Sequence, residues 1–335
     1  MSNHRFRPAR IGLAATAALG FTLATAAPAF AGPGAAPPTG SASVANDTLT
    51  VTGTSAGDRL VLRLAAGDPN TLQIDFGDDG STDASFDRGT FSTINVSLLG
   101  GDDQFRVDQS GGAFTDEALT VDGGSGDDTL LGGDGNETFI GGSGRDFVDG
   151  NRGHDTASLG SGEDTFKWDP GDGSDDVDGG SGMDTMVFNG ANVNEKFNLS
   201  ADGSRAVFLR DVGGIRMNLD GVEQVDVHAL GGADALTIAD MSATDVKEVD
   251  TDLGAGDGLV DSVTVNGTDK ADHVTVRALG DAVDVHGLRP EVRITGSEPT
   301  DALQVNTVDG NDHVEVDGAV FARIDTNVDL GAGQH

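Results

Sequence analysis

The chain has 335 residues, with 20 Lys and Arg against 56 Asp and Glu, a formal net charge of −36. So acidic a surface repels nucleic acid and anionic membranes, and its natural counter-charges are cations. Asp (47) far outnumbers Glu (9), Gly reaches 51, and Cys and Tyr are absent, which argues against a helical protein, a disulfide scaffold and a thiol enzyme and for short strands joined by many turns.

Residues 1–31 read as an export signal. His4, Arg5, Arg7 and Arg10 form a basic start, residues 11–26 an apolar run, and Ala29-Phe30-Ala31 a small-residue cleavage site. No later stretch is apolar enough to span a bilayer, so the mature chain is expected to be secreted and extracellular. Residues 32–43 (GPGAAPPTGSAS) read as a flexible linker.

Residues 44–117 form the first β-repeat module. Within it, Gly53-Thr54-Ser55-Ala56-Gly57 fits the G-x-S-x-G pattern of hydrolase nucleophiles. That chemistry needs a helix after the turn, whereas Arg59-Leu60-Val61-Leu62 reads as strand, so a plain turn is expected. Asp75, Asp78, Asp79, Asp83 and Asp87 leave two readings open, an extra calcium loop or a solvated turn; EF-hand spacing is missing.

From residue 123 the chain runs GGSGDDTLL, GGDGNETFI, GGSGRDFVD, GNRGHDTAS, LGSGEDTFK. Trp168-Asp169 interrupts, and PGDGSDDVD and GGSGMDTMV follow. The fourth residue of every copy is Gly. The sixth is Asp128, Glu137, Asp146, Asp155, Asp164, Asp175 and Asp184, and the eighth is Leu130, Phe139, Val148, Ala157, Phe166, Val177 and Met186. A flexible linker has no reason to place an acid at every sixth position and an apolar residue at every eighth. Trp168 is expected to pack over the interruption.

This array, residues 121–187, resembles the RTX (hemolysin-type) calcium-binding family, whose repeat is Gly-Gly-x-Gly-x-Asp-x-apolar-x. The resemblance implies an all-β fold, a right-handed parallel β-roll in which two copies make one coil and each copy is a six-residue turn plus a three-residue strand. The eighth residue then points inward, and the sixth offers a hard oxygen that suits Ca²⁺. Copies n and n+2 stack, so one face carries Asp128, Asp146, Asp164 and Asp184, and the other Glu137, Asp155 and Asp175. Ions between stacked turns number roughly five on this arrangement. Glu137, one methylene longer than Asp, makes the site most removed from the family pattern.

Residues 188–324 hold further β-repeat modules. VNGTDKADHVTVR (265–277) matches VTGTSAGDRLVLR (51–63), GNDHVEVD (310–317) matches GDDQFRVD (101–108), and LGGADALTI (230–238) is a third relative. Val265, Val276, Val285, Ile294, Val305 and Val316 lie 9 or 11 residues apart, a spacing that suits a continued β-solenoid or, failing that, β-sandwich flanks. His273 and His313 occupy equivalent outward positions. Residues 325–335, ending DLGAGQH, read as the start of a further, incomplete repeat.

No catalytic constellation stands out, and the chain is expected not to be an enzyme. Its expected role is calcium-dependent folding with a structural or interaction function at or outside the cell surface, with calcium and a surface or matrix polysaccharide or protein as partners. The alternative is a non-catalytic tail related to a secreted enzyme or polysaccharide-modifying protein.

Overall fold

The computed structural model describes residues 40–254, 256 and 258–332, so the expected signal at 1–31 and most of the linker at 32–43 lie outside the described residues. The linker was expected to run to residue 43. Instead Ser41–Ala45 is already a strand, paired antiparallel with Thr48–Thr52 through a tight turn at Asn46 and Asp47, both at positive φ. A composition of Ser, Ala and Val leaves that segment free to extend, and an available sheet edge supplies its hydrogen bonds.

Among the described residues the chain forms two sheets of fourteen strands each. In the array the chain alternates between them. Ala118–Ser125, Thr138–Ser143, Thr156–Gly162 and Asp176–Gly182 stack in parallel in the first sheet. Thr129–Leu131, Phe147–Asp149, Thr165–Trp168 and Thr185–Asn189 stack in parallel in the second. Partners lie 18 residues apart (Thr138 with Thr156, Phe147 with Thr165), which is two nonapeptides per coil. After Trp168-Asp169 the spacing becomes 20 (Thr165 with Thr185), so the interruption lengthens one coil without breaking the stack. This is a β-roll, with short parallel strands whose crossovers are turns rather than helices.

The flanks continue the same two sheets, which removes the sandwich alternative. Thr185–Asn189 pairs with Gln224–His228, which pairs with Glu248–Asp252, all in parallel. What the valine spacing did not reveal is the antiparallel meanders set into the walls. Lys196–Asp202, Arg205–Arg210 and Ile215–Asp220 form one in the first sheet; His273–Leu279, Ala282–His286 and Glu291–Thr295 form one in the second. A third, Arg59–Ala65 with Asp68–Phe76 and Ala84–Asp87, ends the second sheet.

One continuous apolar core lies between the sheets. Every eighth residue of the array, from Leu130 to Met186, is buried in it. Trp168 is buried too, stacked on Phe188 with ring centroids 4.1 Å apart, its indole N–H donating to Gly173 O at 2.8 Å. The extra residues of the long coil thus carry an aromatic that fills the core and ties down the turn they lengthen.

Candidate metal centre

The roll has two edges, where the chain crosses from one sheet to the other. Each crossing into a strand carries an acid two residues before an inward apolar residue, and that acid is buried in every coil of the array. Along the first edge the acids are linked in a ladder. The backbone N–H of Asp128 donates to Oδ1 of Asp146 (2.9 Å), that of Asp146 to Asp164 (2.8 Å), and that of Asp164 to Asp184 (2.9 Å). Along the second edge Glu137 N–H donates to Asp155 Oδ1 (2.8 Å) and Asp155 N–H to Asp175 Oδ1 (2.9 Å). The structure therefore groups the seven array acids on two edges, four on the first and three on the second.

One carboxylate oxygen per rung is used in this way. The second oxygen, Oδ2, of Asp128, Asp146, Asp155, Asp164 and Asp184 is buried without a hydrogen-bond partner. A buried acceptor left bare costs about 1–3 kcal/mol, and more when charged, so a row of them marks a place where something else is meant to bind. Glu137 differs. Its longer arm turns back and its Oε2 accepts from Gly133 N–H at 3.0 Å.

The glycines shape the space around these oxygens. In the first-edge turns the second and fourth residues, from Gly124 and Gly126 to Gly180 and Gly182, have φ between +91° and +153°. A Cβ on Gly142 or Gly144 would overlap the carbonyl oxygen of Gly124 or Gly126 one coil earlier, and the same holds for each later coil. Only glycine lets the turns stack at strand spacing with the carbonyl of one coil close against the Cα of the next. A Cβ on Gly123, Gly141 or Gly150 would fill the space beside the bare Oδ2 of Asp128, Asp146 or Asp155. Among the described residues no group of three or more acids or histidines could hold a metal alone, so backbone carbonyls would have to supply the rest of any oxygen shell. Such a mixed, all-oxygen set fits a hard cation of high coordination number.

Electrostatics lead the same way. Burial, opposed by the ladder N–H bonds and reinforced by neighbouring carboxylates, pushes Asp155 up to about 9, Asp146 to about 7, and Asp128 and Asp184 to about 6. Glu137 is raised to about 7 and Asp175 to about 6, burial again the leading cause, and Asp164 is raised for the same reason. A column of desolvated carboxylates resists carrying its charge unless a cation joins it.

Sequence reasoning missed that the ladder runs on into the flanks. Asp58 N–H donates to Asp103 Oδ1, Asp103 N–H to Asp128 Oδ1, and Asp184 N–H to Glu223 Oε2. On the other edge Glu195 N–H donates to Asp234, Asp234 N–H to Asp261 and Asp261 N–H to Asp301; further along the first, Asp272 N–H donates to Asp312. The available signal was an acid two residues before the first inward apolar residue of these strands, as Asp103 stands to Phe105, Glu223 to Val225 and Asp261 to Val263, visible even where the glycines are gone.

Most flank acids have partners supplied by the protein. Thr54 donates its N–H and its hydroxyl to Asp58, and Thr268 does the same for Asp272. Arg210 is paired with Glu195 in the interior, Lys247 Nζ lies 3.6 Å from Glu223, and Asp301 Oδ2 accepts from Glu298 N–H. The G-x-S-x-G segment is thus a solenoid turn whose threonine satisfies an aspartate, followed by the strand Arg59–Ala65 rather than a helix. The 75–87 acids are likewise engaged: Arg63 pairs with Asp75 (2.8 Å) and Arg106 with Asp78 (2.6 Å), which favours the plain turn. His273 and His313 sit side by side on the exposed face of paired strands, their ring centroids 6.2 Å apart.

A family profile described as the RTX calcium-binding nonapeptide repeat, in four copies, matches residues 120–136 and 131–166. This segment carries RTX repeats, and calcium binding with a structural role is what such repeats support. No curated protein matches the chain. No helix among the described residues is long and apolar enough to cross a membrane.

Proposed function

We propose that this protein is an exported structural or interaction protein whose β-roll is completed by calcium. In this reading Asp128, Glu137, Asp146, Asp155, Asp164, Asp175 and Asp184, together with turn carbonyls, hold roughly five ions, three along the first edge and two along the second. The observation that carries it is the row of buried, unpartnered Oδ2 atoms inside the matched repeats. Bound calcium supplies positive charge and fills oxygen-lined gaps between coils. The residues themselves fix the coil register through the ladder bonds and exclude water through the stacked strands.

A net charge of −36 and the absence of cysteine suit a chain that folds outside the cell, where calcium is plentiful and disulfides are not its staple. Export through the 1–31 signal belongs to this reading, as does a polysaccharide or protein partner at the cell surface. The test is a calorimetric calcium titration of the mature chain with far-UV circular dichroism in EGTA and in millimolar calcium, alongside detection of the chain in culture medium. Several ions bound with a gain of β-structure are expected. A chain that binds no calcium, or stays inside the cell, would overturn the respective half.

A further inference from the structure

We propose a further cation site outside the nonapeptide array, between the turn at 98–103 and the first array turn at 123–128; it rests on the calcium reading of the array. The segment Leu98-Leu99-Gly100-Gly101-Asp102-Asp103 lacks the glycine pair that opens a repeat, and neither the repeat spacing nor the matched residues include it. The fold nonetheless gives it the same form. Gln104–Asp108 pairs in parallel with Thr129–Leu131, placing Gln104 opposite Thr129 and Phe105 opposite Leu130. Asp103 thereby becomes the counterpart of Asp128, and its N–H donates to Asp128 Oδ1 at 2.8 Å.

Three observations place a cation here. Asp103 is 1 % exposed, and its Oδ2 is buried with no hydrogen-bond partner, as is Oδ2 of Asp128 across the interval. The carbonyls also match. A Cβ on Gly124 or Gly126 would overlap Leu99 O or Gly101 O, just as Gly142 and Gly144 stand to Gly124 O and Gly126 O inside the array. Leu99 takes the turn conformation of the array's second glycine, with φ of +77° against +99° at Gly124, although its side chain disfavours it. The interval 103–128 therefore offers the same oxygens as 128–146: two bare carboxylate oxygens and two turn carbonyls, of which Leu99 O also accepts from Ser125 N–H at 3.2 Å and would share its second lone pair with the ion.

The next interval outward does not. Both oxygens of Asp58 are taken by Thr54, so the protein closes the column at that coil with its own donors. At the far end Glu223, beside Lys247, does the same after Asp184. Asp312 also keeps a bare Oδ2, yet both oxygens of Asp272 across its interval are taken by Thr268. A hard divalent cation with oxygen ligands, of the kind the array binds, is the fitting occupant.

The experiment counts calcium ions bound to the full mature chain by native mass spectrometry and calorimetry for wild type, Asp103→Asn, Asp58→Asn and Asp146→Asn. Asn keeps the Oδ1 acceptor, so the ladder survives. Asp103→Asn is expected to lose one ion and Asp58→Asn none. An unchanged count in Asp103→Asn with a reduced count in Asp146→Asn would overturn this site while leaving the array reading intact; a wild type that binds no calcium would overturn both. Should Asp103→Asn fail to fold, hydrogen exchange of the wild type decides. Segment 98–103 should gain protection over the same calcium range as 123–128, and unchanged exchange there would overturn the proposal.

Discussion

Replacing Asp146 by Asn and by Ala separates the ladder from the ion. Oδ1 of Asp146 holds Asp128 N–H at 2.9 Å, and its Oδ2 is buried and bare, as are those of Asp128 and Asp164 in the coils on either side. Ala removes both atoms and leaves a buried N–H unsatisfied, a cost of about 1–3 kcal/mol with or without calcium. Asn keeps the Oδ1 bond and removes only the charge. With dissociation constants near 10⁻⁴ M and about 1 mM free ion, each site contributes about 1.4 kcal/mol through linkage, so two intervals contribute about 3 kcal/mol. Without calcium, Asn should be neutral or slightly stabilising, because burial and neighbouring carboxylates already raise Asp146 to about 7. Urea unfolding followed by far-UV circular dichroism, at calcium concentrations from EGTA to 1 mM, reads both effects. The slope of stability against the logarithm of free calcium should fall by about two ions for either variant, and only Ala should also lose stability in EGTA. An Asn variant with the wild-type slope would refute the shared-site reasoning.

The calcium-free fold should be favoured by acid. The folded-state carboxyls sit above their ordinary values, at about 6 for Asp128 and Asp184, about 7 for Asp146 and about 9 for Asp155. The fold therefore binds more protons than the unfolded chain, and its stability is present below about pH 4 and is lost as pH rises through 6 to 9; calcium-stripped protein should gain β-structure from pH 8 to pH 5, and a loss would contradict this. Gly162→Ala should prevent calcium-induced folding of the array, because its Cβ would overlap Gly144 O; unchanged dichroism in calcium would count against the stacked carbonyls. Arg210→Ala should cost about 3–5 kcal/mol in calcium and in EGTA alike, since it leaves Glu195 charged and buried, whereas Arg210→Met with Glu195→Gln should recover most of that in thermal unfolding. Mg²⁺ should restore little β-structure at millimolar concentration, because it demands a tight octahedron and keeps its waters.

The sequence by itself determined the repeat unit and its two consequences. Gly at the fourth position, an acid at the sixth and an apolar residue at the eighth specify turn, edge and core from local chemistry alone, and Leu130, Phe139 and Val148 are buried as that pattern requires. The rest needed tertiary structure. Val276, Val285 and Ile294 share the period of Val265 and Val305, yet lie in an antiparallel meander in the other sheet, because an inward side chain looks the same whichever way its strand runs. The coil at 98–103 lost its two leading glycines and lies outside the nonapeptide phase, although Gly101, Asp103 and Phe105 keep the fourth, sixth and eighth places; parallel pairing on both sides holds its turn, even with Leu99 at positive φ. Thr54 and Arg210 carry no mark of their role in the chain. Whether a buried carboxylate meets a hydroxyl, a guanidinium or a bare gap depends on which side chain the fold brings beside it, and that contact separates the turns the protein closes itself from those it leaves to a cation.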